Sequence, residues 1–325
     1  MHRLVALALV LGLVAPVIAA EPVVISGHTE RINAVAFAPD GKTVATVSAD
    51  KTLRVWDAKT GKQLASVDAH RGTATGVAFS ADGKKLVTGG YGPKPEGKGH
   101  QEGEVKRWSS DLKSAPNSEI ALHAVEAVTY DPNNRRVLGG SGKFAYAWDG
   151  TGDEQRKVTF EGHAGTVLGL ALDAQGGCLV TASEDGTVRV WHPDKGKLIH
   201  TMKGHQGIVL AVAVTPNGAR AVSGGQDHSV RVWNIETGKE ERKLTNHLGP
   251  VFGVAMNPDG KTVATASGLD GTVRIWEVES GKEVSVIRLP KTAKGPCRVA
   301  YAPNGNRLAV ASFDNNVRVY DLTLE

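Results

Sequence analysis

Histidines and aspartates recur along this chain at a spacing that could place an imidazole beside a carboxylate. His28 lies 22 residues before Asp50, and His163 lies 22 residues before Asp185. A histidine beside a carboxylate could serve in general acid–base catalysis or as part of a metal site. Because the same pair recurs along the whole chain, we interpret it as part of a repeated scaffold. We therefore predict no catalytic residue and no metal at these positions.

Other segments resemble catalytic motifs only in part. The triplets at 41–43 and 260–262 read Gly-Lys-Thr, but the glycine that a phosphate-binding loop needs five residues earlier is replaced by Ala36 and Ala255. The Gly-Ser-Gly at 140–142 reads as a hairpin tip, whereas a nucleophile elbow needs a strand, a turn and a helix. The histidines outside the repeated pattern are His2, His100, His192, His200 and His228, and none of them forms a close ligand pair with another His or Cys. We therefore predict no cofactor.

All six tryptophans stand in one repeated phrase. It reads LRVWD at 53–57, VRVWH at 188–192 and VRIWE at 273–277, and successive tryptophans are 52, 40, 43, 42 and 43 residues apart. Tyr320 occupies the same position in a seventh copy, 44 residues after the last tryptophan. A period in the low forties with several strand-like segments per repeat is typical of propeller blades.

The elements that must position these residues are short strands. Within 22–57, extended segments at 23–26, 32–37, 43–48 and 52–56 are separated by turns rich in Gly, Pro and Asp. No window has a helical period. The sequence therefore predicts an all-β chain of seven antiparallel four-stranded blades, since a single blade can bury its two apolar faces only against its neighbours.

These motifs resemble the WD-repeat (WD40) family over essentially all of residues 21–325. The diagnostic features are a Gly-His before the innermost strand, an Asp in the turn before the third strand, and the Trp-Asp phrase that ends that strand. The histidine position holds His28, His70, His123, His163, His205 and His247, with Thr292 in the last copy. The turn aspartates are Asp50, Asp185, Asp227, Asp270 and Asp314.

The resemblance implies a buried hydrogen-bonded tetrad of His, Asp, Trp and a strand Ser or Thr in each complete blade. A buried indole N–H needs an acceptor and a buried carboxylate needs donors, so each type has a physical reason. The residues predicted to form these tetrads are His28, Ser48, Asp50 and Trp56; His163, Ser183, Asp185 and Trp191; His205, Asp227 and Trp233; and His247, Asp270 and Trp276.

Two copies are incomplete, and the last copy lacks a strand. Glu102 and Gly142 stand at the aspartate position of repeats two and three, which predicts that these two blades are the least stable. The chain opens with a single strand at 22–26 and ends after the third strand of the last repeat. The resemblance implies that the N-terminal strand joins the last blade, which closes the ring and removes exposed sheet edges.

Residues 1–20 read as a signal peptide. A short basic start is followed by an apolar run over 4–14 and by small residues before Glu21. The run is too short to span a bilayer, so we predict no membrane insertion. We expect an exported protein, periplasmic or secreted, whose residues 21–325 form one domain with an insertion at 91–103. Cys178 and Cys297 fall in distant blades, too far apart for a disulfide.

Composition argues against nucleic acid as the partner. The formal net charge is +4, and the lysines and arginines are scattered and form no run that could neutralise phosphates. We expect a monomer that binds a protein or peptide.

The predicted binding surface is the rim formed by the Gly-His loops and the Asp turns, at positions three and five after each histidine. Its polar side is bordered by Arg31, Asn33 and Glu126, and its apolar side is led by Leu168, Ile208, Leu210 and Phe252. Neighbouring apolar residues on a rim favour polypeptide docking. The alternative is that these side chains fold inward and plug the channel. The insertion at 91–103 is either a tolerated surface loop or a contact arm beside this rim.

The sequence thus favours a non-catalytic interaction scaffold. The alternatives are a propeller enzyme, a hydrolase or lyase acting at the channel mouth, and a carbohydrate or cell-wall binding module. The enzyme would need acids, histidines or metal ligands converging at positions three and five, and carbohydrate binding would favour exposed aromatic side chains.

Overall fold

The fold is taken from a computed structural model that describes residues 21–92, 102–113, 117–121, 123–149 and 157–322. Within these ranges the chain forms 28 β-strands and one short 3-10 helix, Lys291–Ala293. The strands assemble into seven four-stranded antiparallel sheets, so the predicted all-β, seven-bladed propeller is confirmed. The predicted leader at 1–20 lies outside the described residues, as do residues 93–101 of the predicted insertion.

Each blade is a meander whose strands run in chain order from the ring centre outward. The first four blades contain β2 (Ile32–Phe37), β3 (Thr43–Ser48), β4 (Thr52–Asp57) and β5 (Gln63–Asp68); β6 (Ala74–Phe79), β7 (Lys85–Tyr91), β8 (Gly103–Ser109) and β9 (Asn117–Ala121); β10 (Val125–Tyr130), β11 (Arg136–Ser141), β12 (Phe144–Asp149) and β13 (Lys157–Phe160); and β14 (Val167–Leu172), β15 (Leu179–Ser183), β16 (Thr187–His192) and β17 (Lys197–Lys203).

The last three blades follow the same plan, except that the seventh takes its outermost strand from the start of the chain. They contain β18 (Val209–Val214), β19 (Arg220–Gly225), β20 (Val230–Asn234) and β21 (Glu240–Leu244); β22 (Val251–Met256), β23 (Thr262–Ser267), β24 (Thr272–Glu277) and β25 (Glu283–Arg288); and β26 (Pro296–Tyr301), β27 (Arg307–Ser312), β28 (Val317–Asp321) and β1 (Val23–Ile25).

The N-terminal strand closes the ring. β1 pairs antiparallel with β28, with Val23 opposite Val319, and Ile25 is buried in that seam. The innermost strands also contact one another in sequence around the ring, and β26 contacts β2. Closure therefore joins the two ends of the chain in one sheet and leaves blade 7 without an unpaired outer edge on β28.

The hydrophobic core is divided among the seven interfaces between blades. Trp56 packs with Ile25 and Val319 between blades 7 and 1, and Trp191 packs with Leu138 and Ala147 between blades 3 and 4. The other four tryptophans and Tyr320 occupy the equivalent places in the remaining clusters. Each repeated aromatic thus fills the gap to the preceding blade, which explains why the phrase recurs once per blade.

Every innermost strand carries the same β-bulge near its start. In blade 1 the pairing of β2 with β3 shifts between Ile32 and Ala34, so that Asn33 has no partner across the ladder. A bulge re-aims the side chain of its extra residue. The residue skipped in each of the seven blades, here called a bulge residue, is Asn33, Thr75, Glu126, Leu168, Leu210, Phe252 or Cys297.

Two observations bear on other features predicted from the sequence. Tyr91 and Gly103, the ends of the predicted insertion, are the facing terminal residues of β7 and β8, and the amide of Gly92 donates to the Glu102 carbonyl at 2.8 Å. Cys178 and Cys297 are buried free thiols.

No helix in the described ranges has the length and apolar character needed to cross a bilayer.

Candidate functional site

A hydrogen-bonded chain links the outer strands of blade 1 to its inner loop. The Trp56 indole Nε1 donates to Thr46 Oγ1 at 2.8 Å, Thr46 Oγ1 lies 2.7 Å from His28 Nε2, and His28 Nδ1 lies 2.7 Å from Asp50 Oδ2. An ionised Asp50 can only accept, so His28 Nδ1 carries the proton and donates to it. The unprotonated His28 Nε2 then accepts from the Thr46 hydroxyl, which itself accepts from the Trp56 indole.

Three further blades contain the same arrangement. In each, the imidazole–carboxylate, imidazole–hydroxyl and indole–hydroxyl distances lie between 2.7 and 2.8 Å. In all four blades the imidazole and the indole are buried, and each is hydrogen-bonded to partners within its own blade. The residues in the three further blades are His163, Asp185, Thr181 and Trp191; His205, Asp227, Ser223 and Trp233; and His247, Asp270, Thr265 and Trp276.

The structure corrects the predicted hydroxyl in two tetrads. Thr46 and Thr181 bind the tryptophan and histidine, and the predicted Ser48 and Ser183 do not. Trp56 faces Val44 across the β3–β4 ladder, so Thr46 is its diagonal neighbour, whereas Ser48 lies about 7 Å further along the strand. Ser48 Oγ instead donates to the Glu30 carbonyl and accepts from the Asp50 amide, both at 3.0 Å, which fixes the turn that carries Asp50.

Blade 2 has a tetrad whose carboxylate comes from an unexpected residue. His70 Nδ1 lies 3.3 Å from Glu104 Oε2, and both His70 Nε2 and the Trp108 indole contact Thr88 Oγ1 at 2.9 Å. Glu104 stands where blade 1 has Thr52, two residues after the predicted Glu102, and its longer side chain reaches the imidazole. The carboxylate of blade 2 therefore comes from a different sequence position than the pattern predicts, but the tetrad still contains one.

Blades 3 and 7 depart further from the pattern. In blade 3, Gly139 stands at the hydroxyl position and Gly142 at the aspartate position. In blade 7 an arginine holds the aspartate: Arg318 Nη2 lies 2.7 Å from Asp314 Oδ2, and Arg318 Nη1 donates to Ser312 Oγ at 2.9 Å. Arg318 is the counterpart of Arg54 in blade 1 and Ser312 is the counterpart of Ser48, so Asp314 is fixed by an ion pair and not through a histidine.

Burial sets the ionisation of these groups. Burial lowers the pKa of the His28, His70, His163 and His205 imidazoles, and their carboxylate partners only partly oppose this. Burial opposes ionisation of Asp50, but hydrogen bonds from Thr52 and His28 outweigh it and hold the pKa of Asp50 at about 2. The His28–Asp50 and His163–Asp185 pairs therefore consist of a neutral histidine and an ionised aspartate at neutral pH.

We expect the free energy of unfolding to fall in two steps as the pH is lowered. His28 and His163 have folded pKa values below the ordinary 6.5, so their contribution is present above pH 6.5 and is lost as the pH falls towards those lowered values. Asp50 and Asp185 have a folded pKa of about 2, so their contribution is lost between about pH 4 and pH 2. Urea unfolding followed by tryptophan fluorescence from about pH 8 to about pH 2 measures both steps, and a flat profile between pH 7 and 5 would contradict the histidine assignment.

The bulge residues converge at one end of the central channel. Six of the seven line a cavity of about 180 Å³, here called the mouth cavity. Its lining residues are Arg31, Ile32, Asn33, Glu126, Leu168, Leu210, Phe252, Cys297, Arg298 and Phe313. Of the predicted rim residues, the structure brings six together here and leaves Ile208 outside the lining. Ile208 precedes the strand, and its carbonyl accepts the Gln226 amide at 2.8 Å.

One side of the mouth cavity is apolar and accessible. Leu168, Leu210 and Phe252 are half-buried, and Phe252 meets Phe313 edge to face with ring centroids 5.8 Å apart. Leu248 and Leu269, which adjoin His247 and Asp270 in the sequence, are each 77% exposed. The side chains therefore line the opening without filling it.

The other side of the mouth cavity is polar. Arg31 Nε donates to Asn33 Oδ1 at 2.9 Å, and the Tyr91 hydroxyl donates to Glu126 Oε1 at 2.7 Å. Arg298 Nη1 donates to the carbonyls of Phe252 and Cys297 at 3.1 and 2.9 Å.

Sequence reasoning missed Arg298, Phe313 and Tyr91 at this site. Phe313 immediately precedes Asp314, and inspection of the residue before each turn aspartate could have found it. Arg298 follows a bulge residue, and nothing in its spacing distinguishes it. Among the described residues, no group of three or more His, Cys, Asp or Glu could hold a metal ion.

Comparison with known families matches six segments of the chain. The family model described as WD domain, G-beta repeat, covers residues 21–57, 61–92, 154–192, 196–234, 238–277 and 285–321. The unmatched stretch between 92 and 154 contains blade 3, whose tetrad positions hold glycines.

Several curated proteins are similar to parts of this chain. A WD repeat-containing protein of Synechocystis sp. is 30% identical over 51% of this chain and 45% of its own length. The serine-threonine kinase receptor-associated protein of Gallus gallus is 29% identical over 55% of this chain and 47% of its own. The U3 small nucleolar RNA-associated protein 15 homolog of Gallus gallus is 24% identical over 54% and 32%. The chain spans less than half the length of these relatives.

The comparisons contradict the predicted export. The U3-associated relatives from Gallus gallus and Xenopus tropicalis are named for a nucleolar RNA, and the nucleolus lies inside the cell. The expectation of a periplasmic or secreted protein, drawn from the composition of residues 1–20, is therefore wrong.

Proposed function

We propose, because this chain belongs to the WD-repeat family (WD domain, G-beta repeat), that it is a non-catalytic scaffold that binds a polypeptide partner at the mouth cavity and the surrounding rim. Proteins named for association with a receptor or an RNA particle are among its relatives, which supports an interaction role. The choice of surface rests on the geometry of this chain alone.

The observation that carries the proposal is the ring of β-bulges. All seven innermost strands skip one residue at the same end, and six of those residues line a single cavity. Bulges of this kind re-aim side chains at functional sites. A partner that enters the mouth would meet side chains from six of the seven blades at once, on a framework whose ring closure keeps them in place.

The composition of the mouth favours a polypeptide. Apolar side chains from blades 4 to 6 lie opposite hydrogen-bonding side chains from blades 1 and 3, so the mouth offers a polypeptide both apolar and polar contacts. Leu168, Leu210 and Phe252 are the side chains that we expect to contribute most to affinity, because partly buried apolar anchors dominate such interfaces.

The two other functions considered have less support. An enzyme at the mouth would need a base or nucleophile there. Among the described residues that line the cavity, the one carboxylate, Glu126, is engaged by Tyr91, and burial raises the pKa of the Cys297 thiol. Carbohydrate binding favours exposed aromatic rings, but all six tryptophans are at most 7% exposed. The four histidine–aspartate pairs of blades 1, 4, 5 and 6 are likewise occupied inside the blades.

Hydrogen exchange on a captured complex tests the proposal. The purified protein is used to isolate binding proteins from a lysate of the source cells, and amide exchange is compared with and without the isolated partner. We expect protection in the Gly-His loops and at the starts of β14, β18 and β22. Protection confined to outermost strands such as β5 and β17, or the absence of any captured protein, would contradict the proposal.

A further inference from the structure

The mouth cavity contains two arginines and no ion pair. Arg31 and Arg298 both line the cavity, and within the described residues neither has a carboxylate oxygen within 4 Å. Arg31 uses only Nε, and Arg298 uses only Nη1, in hydrogen bonds to protein atoms of the described part of the chain. The remaining N–H groups of two guanidiniums are therefore left available at one opening.

Both guanidiniums are held in place by neutral acceptors. Asn33 accepts from Arg31 and is itself fixed, since its Nδ2 donates to the Ala74 carbonyl at 2.8 Å and its side chain is buried. Two backbone carbonyls, those of Phe252 and Cys297, hold Arg298. Neutral acceptors orient the arginines and leave their charges uncompensated.

The one carboxylate that lines the cavity among the described residues cannot offset both charges, since Glu126 interacts electrostatically with both guanidiniums but forms no ion pair with either. Glu126 accepts from the Tyr91 hydroxyl, and burial raises the pKa of Glu126. Cys297 also lines the cavity, and burial raises the pKa of its thiol, which favours the neutral form. The cavity therefore carries a positive excess at neutral pH.

We infer that the mouth cavity is a carboxylate site that takes the side chain of an aspartate or glutamate from a polypeptide partner, between the Arg31 and Arg298 guanidiniums, with a neighbouring apolar residue against Phe252 and Phe313. This inference rests on the proposed function and specifies the chemistry of its partner. Arginine binds carboxylates with paired N–H donors, and such charge-assisted bonds are about twice as strong as neutral ones.

An internal acidic side chain fits this site better than a free anion. The cavity is small, about 180 Å³, and its apolar wall of Leu168, Leu210, Phe252 and Phe313 lies beside the arginines. A small anion would leave that wall exposed to water, whereas an acidic residue flanked by an apolar one would cover both parts.

Capped pentapeptides test the inference on the complete protein. The probes are acetylated and amidated, with Glu, Gln or Lys at the centre and Leu or Phe on either side, and binding is followed by fluorescence anisotropy. We expect the Glu peptides to bind at least tenfold more tightly than the matched Gln peptides, and the Lys peptides to bind least. We expect Arg31→Met and Arg298→Met each to reduce the preference for Glu below threefold.

Matched controls separate this site from general charge effects. Arg71→Met removes an exposed arginine beside His70 that does not line the cavity, and should leave the preference for Glu unchanged. If Arg298→Met fails to fold, Arg31→Met decides alone, because the Arg31 side chain is exposed and makes one hydrogen bond.

Four outcomes would overturn the inference. The first is equal binding of the Glu and Gln peptides, and the second is a preference for Glu that Arg31→Met leaves intact. The third is binding only of a Gln peptide with a free C-terminal carboxylate or of inorganic phosphate. The fourth is no binding of any probe. A captured partner whose footprint covers the mouth, without any preference for Glu, would leave the proposed function standing and remove only this carboxylate site.

Discussion

Replacing Trp191 by alanine should destabilise the protein by about 3–5 kcal/mol, the range for removing a fully buried large aromatic side chain. Trp191 is 0% exposed, and its ring meets Phe160 and His163 edge to face with centroids 5.9 Å apart. Its indole also donates to Thr181, so the substitution both opens a cavity between blades 3 and 4 and removes the first donor of a hydrogen-bonded chain. Urea unfolding, followed by the fluorescence of the remaining tryptophans, measures the loss.

A matched pair of milder substitutions separates packing from hydrogen bonding. Trp191→Phe keeps most of the ring volume but leaves the Thr181 hydroxyl without its donor, whereas Trp148→Phe alters blade 3, where Gly139 supplies no hydroxyl at that position. We expect Trp191→Phe to cost about 1–3 kcal/mol more than Trp148→Phe. Equal costs would show that the tetrad contributes packing alone.

The fold could be predicted from the sequence because each repeat specifies it independently. The tryptophan phrase, the turn residues and the strand alternation agree in most copies, and blades joined in this way can bury their faces only in a closed ring. The N-terminal strand could be assigned to blade 7 because that repeat alone lacks its outermost strand. β1 pairs with β28 as this predicts.

The tetrads show which contacts the spacing of residues in the sequence does not determine. The histidine, aspartate and tryptophan stand at constant positions, but each of the first two complete repeats offers two hydroxyls, Thr46 and Ser48 or Thr181 and Ser183. Only the pairing of β3 with β4 decides that Thr46 is the diagonal neighbour of Trp56. The Glu104 carboxylate of blade 2 was missed for a similar reason, because a longer side chain reaches His70 from a different position.

The rim residues could be predicted by register, but not the reason for their convergence. The bulge falls five residues after the histidine in most blades and three after His123, whose loop is two residues shorter, and a bulge leaves no mark in the residue types: Asn33, Leu168 and Phe252 have little in common. Of the position-three residues predicted for the rim, Arg31 lines the cavity and Ile208 does not. The role of Arg298 could not be predicted from the sequence because it depends on hydrogen bonds to two backbone carbonyls.

The apolar wall of the mouth should dominate partner binding. The variant Leu168→Ala, Leu210→Ala and Phe252→Ala removes three half-buried side chains that line one cavity. Single interface anchors of this kind cost more than about 2 kcal/mol when truncated, so the triple variant should weaken binding at least about a hundredfold. Cys297 and the Arg31–Asn33 contact remain, and the tetrads are untouched, so the fold should persist.

Affinity of this triple variant for the captured partner is the most direct test of the mouth as the binding surface. The matched control is Leu64→Ala, Leu198→Ala and Ile199→Ala, which removes three exposed apolar side chains from the outermost strands β5 and β17. With both variants shown to be folded by urea unfolding, we predict that the mouth variant loses the partner and the outer-strand variant retains it. Retention by the mouth variant, or loss by the outer-strand variant alone, would contradict the proposed surface.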